Sequence, residues 1–221
     1  MTDDRKSGIA LIGGSLGGIV TMAMHPTAAH ALTTEQVVHL MGKSGAVHSL
    51  AMVSTLLLFL GACGLTRRMA AADRLAFAGI VTYAFACVAV MIATAVSGFI
   101  VPNIMQHMMR DAVANAHSWQ IVIDGIFQIN QAFARIYSVA ASIAIILWSI
   151  SALRNGGLGQ GIAIYGCVIA PVIILGVGVG HLQLDVHGMA AVVLGQAIWQ
   201  ITIGYQLYRR SSEQITPEHQ D

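Results

Sequence analysis

Long apolar runs alternate along this chain with short clusters of polar and charged residues. The runs cover about 8–24, 47–65, 75–101, 134–153, 162–180 and 188–207. Crossing a hydrocarbon core of about 30 Å takes roughly 20 apolar residues in a helix. Each run therefore predicts one membrane span. The expected fold class is all-α, a polytopic integral membrane bundle of six transmembrane helices filling residues 1–210. A polar, flexible tail is expected over 211–221.

The stretch from Asp111 to Phe133 departs from this pattern. Trp119, Ile123, Ile126, Phe127 and Phe133 are interleaved there with Gln120, Asp124, Gln128, Asn130 and Gln131. Joined to the fourth span it would make a helix of about 64 Å at 1.5 Å per residue, twice what a bilayer needs. An amphipathic outer segment before the fourth span, with a break between them, is the expectation. If these polar residues entered the bundle instead, Asp124 and Arg135 would need partners.

Composition supports lipid as the main solvent. The 221 residues are 56% hydrophobic and only 10% charged, against about 25% charged in soluble domains. A formal net charge of +1 offers no basic field for nucleic acid. Cys63, Cys87 and Cys167 each lie inside an apolar run and read as free thiols, with no disulfide expected.

Arg5, Lys6, Arg67, Arg68, Arg74, Arg154, Arg209 and Arg210 flank the runs on one side, and only Lys43, Arg110 and Arg135 belong to the other. Basic residues stay on the cytoplasmic side of a membrane, which predicts a cell inner-membrane protein with both termini cytoplasmic. The leader also has the plan of a cleavable secretory signal, with Ala29-His30-Ala31 as a cleavage site. Asp3 and Asp4 are foreign to such signals, and six spans match the charge parity, so the first helix is read as a permanent span.

On this orientation His25, His30, His39, His48, His107, His117, His181 and His187 gather at the outer face, and His219 alone is cytoplasmic. Methionines collect beside them, Met24 next to His25 and Met52 one turn from His48. Imidazole binds copper, zinc and haem iron, and thioether sulfur selects Cu(I). The candidate metal ligands are His25, His48, Met24, Met52, His107 and His117; for a cofactor, they are His25, His48, His181 and His187. The cofactor would be copper or haem, and Glu35, Asp111, Asp124 and Asp185 could support the ligands from behind. No HExxH and no C-x-x-C-H haem attachment is present.

Metal handling or electron transfer follows from this reading. One rival is a small-solute transporter or channel, with the fifth span, kinked at Pro171, and the polar fourth helix lining a path. Asn103, Gln196 and Gln200 are also polar enough to line a cavity, and interhelical hydrogen bonding explains the glutamines equally well. Another is a non-catalytic scaffold or subunit, packing through Gly13-Gly14-Ser15-Leu16-Gly17-Gly18 as a homo-oligomer or against a partner membrane protein.

Overall fold

The computed structural model describes residues 3–25, 34–70, 73–110, 116–156 and 159–213. Helix α1 is Asp3–Ala23, α2 Thr34–Ala70, α3 Arg74–Ala95, α4 Val101–Arg110, α5 Ala116–Asn155, α6 Gln160–Gly178 and α7 Val186–Glu213. A π-helical turn, Val96–Ile100, joins α3 to α4. Six helical stretches are long and apolar enough to cross a membrane, α3 and α4 counting as one. The chain is a multi-pass membrane protein.

Helix boundaries differ from the sequence reading in two places. Helix α2 begins at Thr34, well before the expected start near Val47. Helix α5 runs unbroken through 40 residues, so the expected break before the fourth span is absent. Residues 116–133 of the expected outer segment form the first part of α5 instead. Nothing in α5 stops a helix: it contains no proline, and a lone Gly125 costs only about 1 kcal/mol relative to alanine. Its polar first half is tied down locally, with Gln131 Nε2 donating to the Leu184 carbonyl at 3.1 Å. Asp124 accepts from Gln120 at 2.9 Å and, like Arg135, remains exposed.

The helices form a closed ring in which α1 lies between α7 and α2, α2 meets α3, α3 meets α5, and α6 bridges α5 and α7. Lipid tails are as apolar as leucine, so close backbone approach has to supply the attraction between helices. A Cβ at Gly14 would sit 2.8 Å from the Ser54 carbonyl, and one at Gly61 would sit 2.9 Å from the Leu11 amide. On its other side α1 meets α7 through Gly8 and Gly204. The glycines of α1 thus serve contacts within the chain; Gly13 alone among them has open space where its Cβ would be. Phe77, Val81, Phe85 and Val88 on α3, with Ile164, Val168, Val172 and Leu175 on α6, face outward as lipid-facing stripes.

The ring is filled by aromatic and polar side chains together. Trp148 and Trp199 stack at 5.9 Å, and Tyr83 meets Trp148 edge-on at 5.4 Å. Every polar handle brought inside must be satisfied, because no water compensates it. Trp148 Nε1 donates to Thr66 Oγ1 at 3.1 Å, and Trp199 Nε1 donates to Ser149 Oγ at 3.1 Å. Tyr137 donates to Gln196 Oε1 at 3.0 Å while Gln196 Nε2 donates to Ser142 at 3.2 Å. Ser15 donates to Gln200 Oε1 at 3.0 Å, and Gln200 Nε2 donates to Tyr83 at 3.3 Å. Replacing Tyr137 by Phe leaves Gln196 Oε1 without its donor, and should destabilise the bundle by about 0.6–1.7 kcal/mol. Unfolding from mild detergent into SDS measures it.

The basic residues gather at one end of the ring. Asp4 pairs there with Arg68, Asp3 with Arg67 at 3.1 Å, and Arg5 donates to Tyr208 at 2.9 Å. Asp73 caps α3 by accepting from the Leu75 amide at 2.9 Å, a bond that holds its carboxyl below the usual carboxylate range.

Candidate functional site

His25 and His48 lie at the opposite end, each about 30 Å along its helix from a basic residue, Arg5 and Arg68 respectively. That distance is close to the thickness of a hydrocarbon core; His25 follows the end of α1, and His48 lies seven residues inside the candidate span Met41–Met69. Antiparallel packing of α1 on α2 brings them together. Their ring centroids are 5.2 Å apart, with the planes inclined at 71°.

His48 is 5% exposed and is held from behind by its own helix. Its Nδ1 lies 2.7 Å from the Ser44 carbonyl and 3.3 Å from Ser44 Oγ. The Ser44 hydroxyl reaches across to the π-helical turn and donates to the Ser97 carbonyl at 3.3 Å. Gly98 packs directly on the imidazole, so a Cβ there would overlap His48 Cβ and Cγ. Next to this point is an open, shallow groove of about 460 Å³. Met41, Gly42 and Gly45 line it from α2; Gly98, Phe99, Pro102, Asn103 and Gln106 line it from the opposite wall.

The two thioethers nearest in sequence differ in setting. Met52, one turn from His48, is half-buried, while Met24 is exposed. Other candidates stand apart from the pair. His107 is exposed and stacks on Trp119 with centroids 6.5 Å apart. His181 lies exposed in the loop between α6 and α7, and His187 lies exposed in the first turn of α7. His30, His219 and Asp111 fall outside the described residues, as do the side chains of His39, His117 and Glu35. Asp185 is committed to capping α7 through the Gly188 amide, at 2.8 Å. Among the described residues, no three His, Cys, Asp or Glu side chains converge as a complete metal site.

Sequence reasoning picked out the His25–His48 pair but missed Ser44, Ser97 and Gly98. The available signals were a serine one turn before a boundary histidine and a proline four residues after a glycine. Compared with known protein families, curated proteins and solved structures, the chain matches none.

Proposed function

We propose that this protein is an inner-membrane metal-handling protein that binds Cu(I) at its outer face through His25 and His48. The observation that carries the reading is the 5.2 Å spacing of two imidazoles brought together by α1 and α2 at the end of the bundle opposite the basic cluster. With metal–nitrogen bonds of about 2.0 Å, two imidazoles on one tetrahedral ion have ring centres about 5 Å apart. Two axial imidazoles on a haem iron would stand about 6 Å apart with the macrocycle between them, so the spacing favours an ion over haem. Two histidines leave a coordination position for a soft third donor, and Met52 or Met24 supplies a thioether of the kind that selects Cu(I). His48 donates its other ring nitrogen to a backbone carbonyl, the support usual behind a ligating histidine.

The excess of Lys and Arg at the other end favours cytoplasmic termini and an outward histidine end. Gln196 and Gln200 spend their side chains on interhelical hydrogen bonds, and Gly14 and Gly17 are occupied by α2.

Anaerobic titration of the detergent-purified protein with Cu(I), against a chromophoric competitor, tests the reading. About one tightly held copper per chain is expected, with His25→Ala and His48→Ala each abolishing it. A hundredfold excess of copper over the dissociation constant should add about 2.7 kcal/mol of stability. Copper retention that survives removal of both imidazoles would exclude the site. A Soret band in the purified protein would return the reading to haem.

A further inference from the structure

The π-helical turn at Val96–Ile100 lies against His48 and is built by residues the metal site would not itself use. In a regular helix the Val101 amide would bond to the Ser97 carbonyl, four residues back. Here it bonds to the Val96 carbonyl instead. The next residue is Pro102, which has no N–H and whose ring presses on the carbonyl four residues earlier, that of Gly98. The wider turn leaves the Ser97 carbonyl open, and the Ser44 hydroxyl takes it at 3.3 Å. Single π turns inside α-helices are frequent at functional sites.

The consequence falls on His48. A carbonyl oxygen carries no proton, so the 2.7 Å contact between Nδ1 and the Ser44 carbonyl requires the proton on Nδ1. The Ser44 hydroxyl spends its own proton on Ser97 and therefore turns a lone pair toward the same Nδ1–H, at 3.3 Å. Gly98, lacking a side chain, lets the backbone of the π turn pack against the ring.

We infer that this turn is a positioning device: Ser44, Gly98 and Pro102 hold His48 as the Nδ1–H tautomer and present Nε2 as its metal-binding nitrogen. The inference rests on the copper reading above for its purpose, but the tautomer is measurable without metal. In metal-free protein labelled with ¹⁵N-histidine, at mildly alkaline pH, His48 should give a protonated-type Nδ1 signal and an unprotonated-type Nε2 signal. His48→Gln identifies the signals.

Gly98→Ala, which pushes on the ring, should convert this pattern into an averaged mixture of tautomers and weaken copper about 10–100-fold, the usual effect of disturbing a ligand's support. Ser44→Ala keeps the carbonyl that takes the Nδ1 proton and removes only the hydroxyl link to Ser97. The tautomer should therefore persist while copper weakens in the same range, and Ser44→Thr, which keeps the hydroxyl, should restore the affinity. The serine pair keeps the test decisive if Gly98→Ala does not fold. A protonated Nε2 or a tautomer mixture in the unaltered protein overturns the inference. So does a Ser44→Ala protein with unchanged copper affinity. If the unaltered protein binds no copper, the metal reading fails by its own titration, and the nitrogen signals still decide what the turn does to His48.

Discussion

Trp148→Ala is expected to be the most destabilising single truncation in the bundle, at about 3–5 kcal/mol. The side chain is 2% exposed and lies between Tyr83 and Trp199, where the ring of helices closes on itself. Removing it opens a cavity that no lipid tail can enter, so the dispersion contacts of both neighbouring rings are lost outright. It also withdraws the Nε1 donor from Thr66 Oγ1 and from the Ala76 carbonyl, at 3.1 and 3.2 Å, which ties α5 to α2 and α3. Trp148→Phe keeps much of the volume and loses only the donor, so it should cost roughly half as much or less. Reversible unfolding from mild detergent into SDS reads both values. Equal effects of the two substitutions would show that the hydrogen bonds, and not the packing, hold this centre.

The second large effect comes from a single added methyl group. Gly61→Ala places a Cβ 2.9 Å from the Leu11 amide and the same distance from the Ser7 carbonyl, both backbone atoms that cannot step aside. Helix α1 must then move off α2, at a cost of about 1–3 kcal/mol. Gly13→Ala is the matched control: nothing lies within 4 Å of its Cβ, and alanine is the better helix former. It should be neutral or slightly stabilising. The displacement in Gly61→Ala should also reach the far end of the helix pair, spreading His25 from His48 and weakening copper binding. A Gly61→Ala protein as stable as Gly13→Ala would contradict the close approach of these two helices.

These contrasts show where sequence reading succeeds and where it stops. The six spans were legible because twenty apolar residues between basic clusters have few alternatives to a helix crossing a membrane. The starts of α2 and α5 were not. Polar residues ahead of each apolar run, such as Lys43 and Ser44 in α2 and Gln120, Asp124 and Gln128 in α5, mark where a membrane-length run begins and not where the helix begins. The glycine-rich run in α1 was visible as a contact face. Which glycine is filled depends on the helix's rotation, and only the packing separates Gly14 from Gly13.

The candidate site divides in the same way. His25 and His48 could be singled out because each ends a span on helices that are neighbours in sequence. Sharing an end of the bundle did not predict which other histidines would join them. His107, His181 and His187 are exposed, and among the described residues none completes a three-ligand group with the pair, because sharing a side of the membrane does not decide convergence. Ser44 was invisible as a partner of the π turn, since its acceptor exists only where the backbone ladder shifts by one residue at Val96–Ile100.

X-ray absorption at the copper edge, on protein loaded anaerobically with one Cu(I) per chain, addresses the central claim most directly. The account predicts two imidazole nitrogens at about 2.0 Å and one sulfur at about 2.3 Å, with the nitrogen signal halved in His48→Ala loaded at high copper. A copper shell lacking imidazole scattering, or one identical in the unaltered protein and in His25→Ala/His48→Ala, would contradict it.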